Sequence, residues 1–448
     1  VDSEGSRAVL AAVWMMRWRA LAIAAWLVLS TARVVDFEED AGARAEDESD
    51  AAAWANGAAL NATFSKLAPG DVLRIPNKTF YVMGGIRGDG LRSVTIQVDG
   101  TLAFSPNLHQ WPRRDSQGHV ADCLTLNDPF NVTVTSSGTG TLDGNGKKWW
   151  GFPGIGYLIR AENRPHLIEV HGAKGCLFER LLLKDSPYWT FDAHGDGIEV
   201  RHVDIDARRT RSDGHGIIDI TAFNTDGFDV SGRNVWIHDC RVWNQDDCIA
   251  VKDGSENMLF ERITASGLGL TIGSISGSVV RNITFRDCYM HRTVKGIYLK
   301  FRDGDRPGSI SDVLYENIVM DEPEQAPIWI GPAQQSDSRE FWVGHPCSLF
   351  WPELPGASCG VPAAATFVNI TLRNVTIRNP RQSPGLIFGN ATNPMRNIVF
   401  DGVKVQNPGK EPWGDKYYKC EGVHGVATGS TWPVPPCFED RTGVPIVV

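Results

Sequence analysis

None of the nine cysteines stands in a Cys-x-x-Cys pair, which argues against a structural zinc site of the usual kind. The one apolar run beside a basic pair, Ala20–Leu29, is too short to cross a bilayer as a helix. Positive charge is in deficit: 44 Lys and Arg stand against 53 Asp and Glu, a net charge of −9, so nucleic acid is not an expected partner. An acidic total leaves an acidic substrate open, because a local basic cleft can still hold one. Strong amphipathic helices are missing between the strand-like segments, which excludes a βαβ architecture, and the Leu/Asn consensus of leucine-rich repeats is absent too. With 42% hydrophobic and 22% charged residues the chain is neither disordered nor a polytopic membrane protein.

What is present starts with 46 glycines and 25 prolines, which demand frequent turns and favour short strands. Met16, Arg17 and Arg19, the run Ala20–Leu29 and the small residues Ser30-Thr31-Ala32 read as a secretory signal, with residues 1–14 upstream of it. Asn61, Asn77, Asn131, Asn282, Asn369, Asn374 and Asn390 each head an Asn-x-Thr sequon, in keeping with export. The cysteines fit an oxidising compartment, and Cys347/Cys359 and Cys420/Cys437, each bracketing a Pro- and Gly-bearing loop, are the expected disulfides. The prediction is a secreted protein of the extracellular space or cell wall, free of the membrane after signal removal and monomeric.

Self-similarity sets the architecture. Phrases such as Cys176–Arg180, Ile198–Arg201, Val235–Cys240, Met258–Arg262, Ile283–Cys288, Val313–Asn317, Ile370–Asn374 and Ile398–Gly402 alternate apolar and polar residues at the strand period. Their apolar pivots fall at 178, 200, 237, 260, 285, 315, 372 and 400. Most steps are 22 to 30 residues, with longer ones of 37 and 57 where loops are inserted. This predicts an all-β fold, a right-handed parallel β-helix with one coil per repeat and coils stacked roughly 4.8 Å apart. The expected organisation is a leader over 1–35, a cap segment over 36–66 with a helix near Ala51–Leu67, a β-helix catalytic domain over 67–410, and a Cys/Pro-rich tail over 411–448. The helix would cover the open end of the solenoid, which otherwise offers an unpaired strand edge.

Inside the 37-residue step lies Asn224-Thr225-Asp226-Gly227, and twenty residues later comes Gln245-Asp246-Asp247-Cys248. Twenty residues is about one coil, so Asp226 is expected beside the Asp246–Asp247 pair. Three carboxylates on one patch repel, which raises at least one pKa and leaves a protonated acid next to ionised neighbours. Cleavage of a glycosidic bond needs that pair of states, one group protonating the leaving oxygen and another activating water. The plainer reading makes them turn-capping aspartates, since Asn-Thr-Asp-Gly is also good turn chemistry.

At these two motifs the sequence resembles the polygalacturonase family of pectin-degrading glycoside hydrolases, family twenty-eight, and the coil pattern carries the resemblance over roughly residues 65–410. The resemblance implies a pectate-lyase-like β-helix, hydrolysis with inversion of the anomeric centre, and no metal or other cofactor. It implies Asp246 as general acid, with Asp226 and Asp247 positioning and deprotonating water. Two family features are missing. Leu268, in Gly267-Leu268-Gly269, stands where the family has histidine, and Tyr298, in Tyr298-Leu299-Lys300, stands where it has arginine. Losing a guanidinium removes bidentate carboxylate recognition. The expected substrate is therefore a pectic or related polysaccharide, with a rhamnogalacturonan-like backbone or a substituted pectin as plausible as plain polygalacturonate.

Asn224, Gln245, Tyr298, Lys300, Lys252 and His215 are the candidate substrate-binding residues. His215 and His194, in loops on earlier coils, are candidates to replace the absent imidazole, against a simpler reading as solvated loop histidines. Lys252 supplies positive potential or merely pairs with Asp253. Trp149, Trp150, Trp189 and Phe191 are candidates for sugar stacking or for the core. Two other functions compete: a polysaccharide lyase, for which the acidic triplet would bind calcium, and a catalytically weakened β-helix that binds cell-wall polysaccharide.

Overall fold

The structure, a computed structural model, describes residues 32–440 apart from 139, 152–162, 211, 303, 305 and 335–358. One compact unit begins at Val34, and residues 1–31 of the expected leader fall outside the described residues. Among those described, no helix is long and apolar enough to cross a membrane.

The repeat phrases form strands that pair in parallel with the phrase one coil before and one coil after. Phe178 lies opposite Val200, which lies opposite Ile237, and the register runs on through Phe260, Phe285, Tyr315, Leu372 and Phe400. Every pivot faces the interior and is buried. Phe260, Phe285 and Tyr315 stack ring on ring, with centroids 4.7 and 4.6 Å apart. The chain is a right-handed parallel β-helix. The register holds across the 57-residue step, where Tyr315 lies opposite Leu372. A single coil shows the plan. Ile249–Val251, Glu256–Glu261 and Thr264–Ser266 stack beneath Leu270–Ile275 and the long strand Val279–His291, which spans two faces.

Corners explain the asparagines. Asn234, Asn257, Asn282, Asn369 and Asn397 all have left-handed backbone, which asparagine tolerates better than most residues. Their side chains also stack: the Asn282 amide donates to Asn257 Oδ1 at 2.7 Å and that of Asn397 to Asn369 Oδ1 at 2.9 Å. The sequon asparagines Asn282, Asn369 and Asn374 therefore serve corner ladders.

At the N-terminal end a helix runs over Asp50–Phe64, capped by the Ser49 hydroxyl accepting from Ala52 N–H. Its buried side holds Ala53, Leu60 and Phe64 in the common core, and Asn56 bonds three backbone groups of Arg44 and Tyr81. Strand pairing reaches past both expected domain boundaries. Val34–Asp36 pairs with Val72–Ile75, and Tyr418–Glu421 and Val423–Thr428 continue the ladders inside the expected tail. Cys420 and Cys437 form a disulfide. Cys359 is also disulfide-bonded, while Cys347 lies outside the described residues. Cys240 and Cys288 sit two coils apart and both are free thiols.

Candidate active site

Two consecutive turns carry the acidic motifs, and the backbone holds them together. Gly227 N–H donates to the Asp247 carbonyl at 2.8 Å, so Asp226 and Asp247 occupy the same position on neighbouring coils. A Cβ on Gly227 would lie 2.3 Å from the Cys248 carbonyl oxygen, so only glycine permits the approach. Asn244, fully buried, staples the two turns: its amide donates to the carbonyls of Thr225 and Asp247, both at 2.9 Å. The Gln245 N–H donates to Thr225 Oγ1 at 3.0 Å.

The result is a compact acidic patch. Carboxylate oxygens of Asp226, Asp246 and Asp247 lie within 4.8 Å of one another, and all three residues are buried. Asp246 Oδ2 accepts from the Asn224 backbone N–H at 3.1 Å and from its side chain at 3.3 Å, while Oδ1 accepts from Asp247 N–H at 2.9 Å. Burial first, then the charge of Asp247, pushes the Asp246 carboxyl up to about 6. Burial and the neighbouring Asp229 and Asp246 push Asp226 well above the carboxylate range. Asp247 takes side-chain donors: Thr271 Oγ1 reaches its Oδ1 at 2.6 Å and Lys300 Nζ its Oδ2 at 3.2 Å.

The other candidates divide. Lys300 pairs with Asp247; burial lowers the ammonium's pKa, and Asp247 together with Tyr298 and Asp246 more than offsets it. Lys252 pairs with Asp229 and not with Asp253; its Nζ lies 2.6 Å from Asp229 and 3.9 Å from Asp226. Burial pushes Asp229 up to about 7 even against that lysine. His215 Nδ1 reaches Gln245 Oε1 at 3.0 Å and Nε2 approaches Ser266 Oγ at 3.5 Å, and burial lowers its pKa. It supports the glutamine beside the acids. His194 contacts Ser231 at 3.0 Å on an exposed surface.

Leu268 falls one coil beyond Asp247, its N–H donating to the Asp246 carbonyl at 2.7 Å. With Tyr298, Trp329 and Leu386 it forms a small apolar cluster. Tyr298 has no exposed surface, and Lys300 Nζ lies 4.1 Å from its ring centroid. Of the aromatic candidates, Trp149, Trp150 and Phe191 are buried, whereas Trp189 is half-buried with Lys252 Nζ 4.5 Å from its ring centroid. Asn244, Thr271, Asp229 and Arg164 escaped the sequence reading. Asp229 was visible as the outward residue of Phe228-Asp229-Val230. Arg164 left no signal, because it arrives from sixty residues away to donate to Asn224 Oδ1 at 3.2 Å.

Among the described residues, two groups of side chains could share a cation: the acidic triplet, and Asp122 with His166 and Glu169. In the triplet, Asn224 and the Asp247 N–H already occupy both Asp246 oxygens, and Thr271 and Lys300 those of Asp247. The arrangement can do acid–base chemistry: carboxyls raised by burial stand beside one that pairs with a lysine.

The class that fold and site define is a parallel β-helix with a buried triplet of carboxylates on adjacent turns. Residues 71–338 match the family model of Glycosyl hydrolases family 28, and the chain belongs to that family. Endopolygalacturonase A of Aspergillus niger is 34% identical over 227 residues, 50% of this chain and 57% of the relative. The chain thus matches little more than half the length of such curated relatives. Among solved structures, the polygalacturonase of Erwinia carotovora ssp. carotovora superposes with a TM-score of 0.63 at 19% identity, over 90% of this chain and 99% of its own. The endo-xylogalacturonan hydrolase of Aspergillus tubingensis gives 0.61 at 18%, over 91% and 99%. These two likenesses are of fold.

Proposed function

We propose that the protein is a secreted glycoside hydrolase that cleaves glycosidic bonds in pectic or related polysaccharide by carboxylate acid–base catalysis. One observation carries the reading: three buried carboxylates with oxygens within 4.8 Å of one another, one of them pushed up to about 6. Asp246 is the general acid, since a group titrating there is still partly protonated in mildly acid solution and can protonate the leaving oxygen. Asp247, on which Lys300 Nζ and Thr271 Oγ1 converge, takes the proton of the attacking water, and Asp226 beside it positions that water.

Inversion is the outcome the family resemblance implies. Sites with two carboxylates invert when these stand roughly 6.5–9.5 Å apart and retain when they are about 5 Å apart. Here three groups share the work, and a water held between Asp226 and Asp247 does not need the wider gap. The experiment is reducing-end release by wild type and Asp246→Asn at pH 4–7 on polygalacturonate, rhamnogalacturonan, xylogalacturonan and a neutral glucan, with NMR of the first-formed anomer. Release by wild type that the variant loses at least about 100-fold, with the inverted anomer first, is the expected result. Silence on every substrate with binding retained replaces the hydrolase by a wall-binding β-helix, and a retained anomer overturns the assignment of Asp226 and Asp247.

Export is supported by the leader pattern and by Asn77, a sequon asparagine exposed in a turn.

A further inference from the structure

The face on the N-terminal side of the acids carries chemistry that the acid–base steps leave unused. Backbone bonds extend the column of Asp226 in that direction. Thr190 N–H donates to the Asp226 carbonyl at 2.8 Å, Leu167 N–H to that of Trp189 at 3.1 Å, and Cys123 N–H to that of His166 at 2.9 Å. Trp189, His166 and Asp122 therefore lie one, two and three coils from Asp226. A second outward column runs beside it, with Asp229, Asp192 and Glu169 in register on successive coils. His166 and Glu169 share a coil about 10 Å from the triplet, at one strand spacing per coil.

Charge on this patch is already matched or negative. His166 Nδ1 lies 2.9 Å from Asp122 Oδ1, and His171 Nε2 lies 3.2 Å from Glu169 Oε1. Arg114 stands 3.7 Å from Asp122, and Lys252 is held 2.6 Å from Asp229. Each of these four cations has a carboxylate, and Asp192 adds one more negative group. A uronate carboxylate brought here would meet repulsion from Glu169 and Asp192. What the patch does offer is hydroxyl chemistry. Carboxylate oxygens accept hydroxyl protons, and the half-buried Trp189 ring, 5.3 Å from that of His166, presents an apolar face. Trp189 Nε1 and His166 Nε2 are buried and have no hydrogen-bond partner among the described residues.

We infer that this patch is a subsite for a neutral sugar ring, stacked on Trp189 and bonded through its hydroxyls to Glu169, Asp192 and His166. The inference rests on the hydrolase reading of the triplet and narrows its substrate. The polymer carries an uncharged sugar close to the cleaved bond, either alternating with uronate in the backbone or attached to it as a branch.

Calorimetry with the Asp246→Asn protein tests this apart from catalysis. Three probes are titrated: unbranched galacturonate oligomers, oligomers in which galacturonate alternates with rhamnose, and galacturonate oligomers bearing xylose branches. One of the two neutral-sugar probes is expected to bind about tenfold more tightly than the unbranched one, and which one it is decides between backbone and branch. Adding Trp189→Ala removes that advantage, while Trp189→Phe keeps most of it. Glu169→Lys reverses the ranking by adding the missing cation. Tightest binding of the unbranched oligomers, unchanged in the isosteric Glu169→Gln protein, would overturn the subsite. A wild type that cleaves nothing overturns the hydrolase reading alone, because the binding ranking is read without turnover.

Discussion

Asp246 is the residue at which chemistry and stability pull in opposite directions. Its carboxyl is raised from the ordinary 3.8 to about 6 by burial and by Asp247, so the folded protein binds a proton there that the unfolded chain has released. The stability this contributes is whole below about pH 4 and is lost as pH rises through about 6; Asp229, raised to about 7, extends the loss to neutrality. A shift of this size is on the order of 2–3 kcal/mol. Asp246→Asn removes one such titration. Its melting temperature should equal that of wild type near pH 4 and exceed it at pH 7 by several degrees, as about 2 kcal/mol would give; scanning calorimetry at the two pH values checks this. An equal shift at both would mean that Asn relieves packing and not charge. At this scale the sequence was legible for the acids themselves, because motif spacing and coil length together place them. It was not legible for Lys252 and Lys300, whose partners lie on other coils.

Two turns locked at van der Waals distance form the element that makes the site. Gly227 and Asn244 hold it: the one because a Cβ would strike the Cys248 carbonyl, the other because its amide bridges both turns. Gly227→Ala is expected to push the turns apart, lowering kcat at least about tenfold through misplacement of Asp226 and costing about 1–3 kcal/mol in a urea melt. An alanine protein with wild-type rate would show that the turns tolerate separation. The strands were readable from alternation alone, down to the pivot residues. The 3₁₀ turn Asp219–Ala222 and the stretch that delivers His215 to Gln245 were not, since polar loops carry no periodicity.

Over the whole molecule, each coil is buttressed only by its neighbours, and the last coils have a neighbour on one side. The Cys420–Cys437 bond closes a separation of 17 residues there. Removing it as Cys420→Ser with Cys437→Ser should cost about 3 kcal/mol for a loop of this length. Limited proteolysis should then cut first between 410 and 440, while Asp246-dependent cleavage persists in the undigested protein, because the acids lie several coils away. Simultaneous loss of the whole fold would instead mean that the coils unfold as one unit.

The sequence by itself determined the β-helix, its one-coil step and the meeting of Asp226 with Asp246 and Asp247, because a repeat that stacks in register converts spacing along the chain directly into position. Only the tertiary structure decided what surrounds the acids: that Lys252 serves Asp229, that Tyr298 is packed away behind Leu268 and Trp329, and that Trp189, His166 and Glu169 line up beyond them. Those pairings join residues tens of positions apart through side chains whose directions depend on every coil between, and no local pattern encodes a contact of that kind.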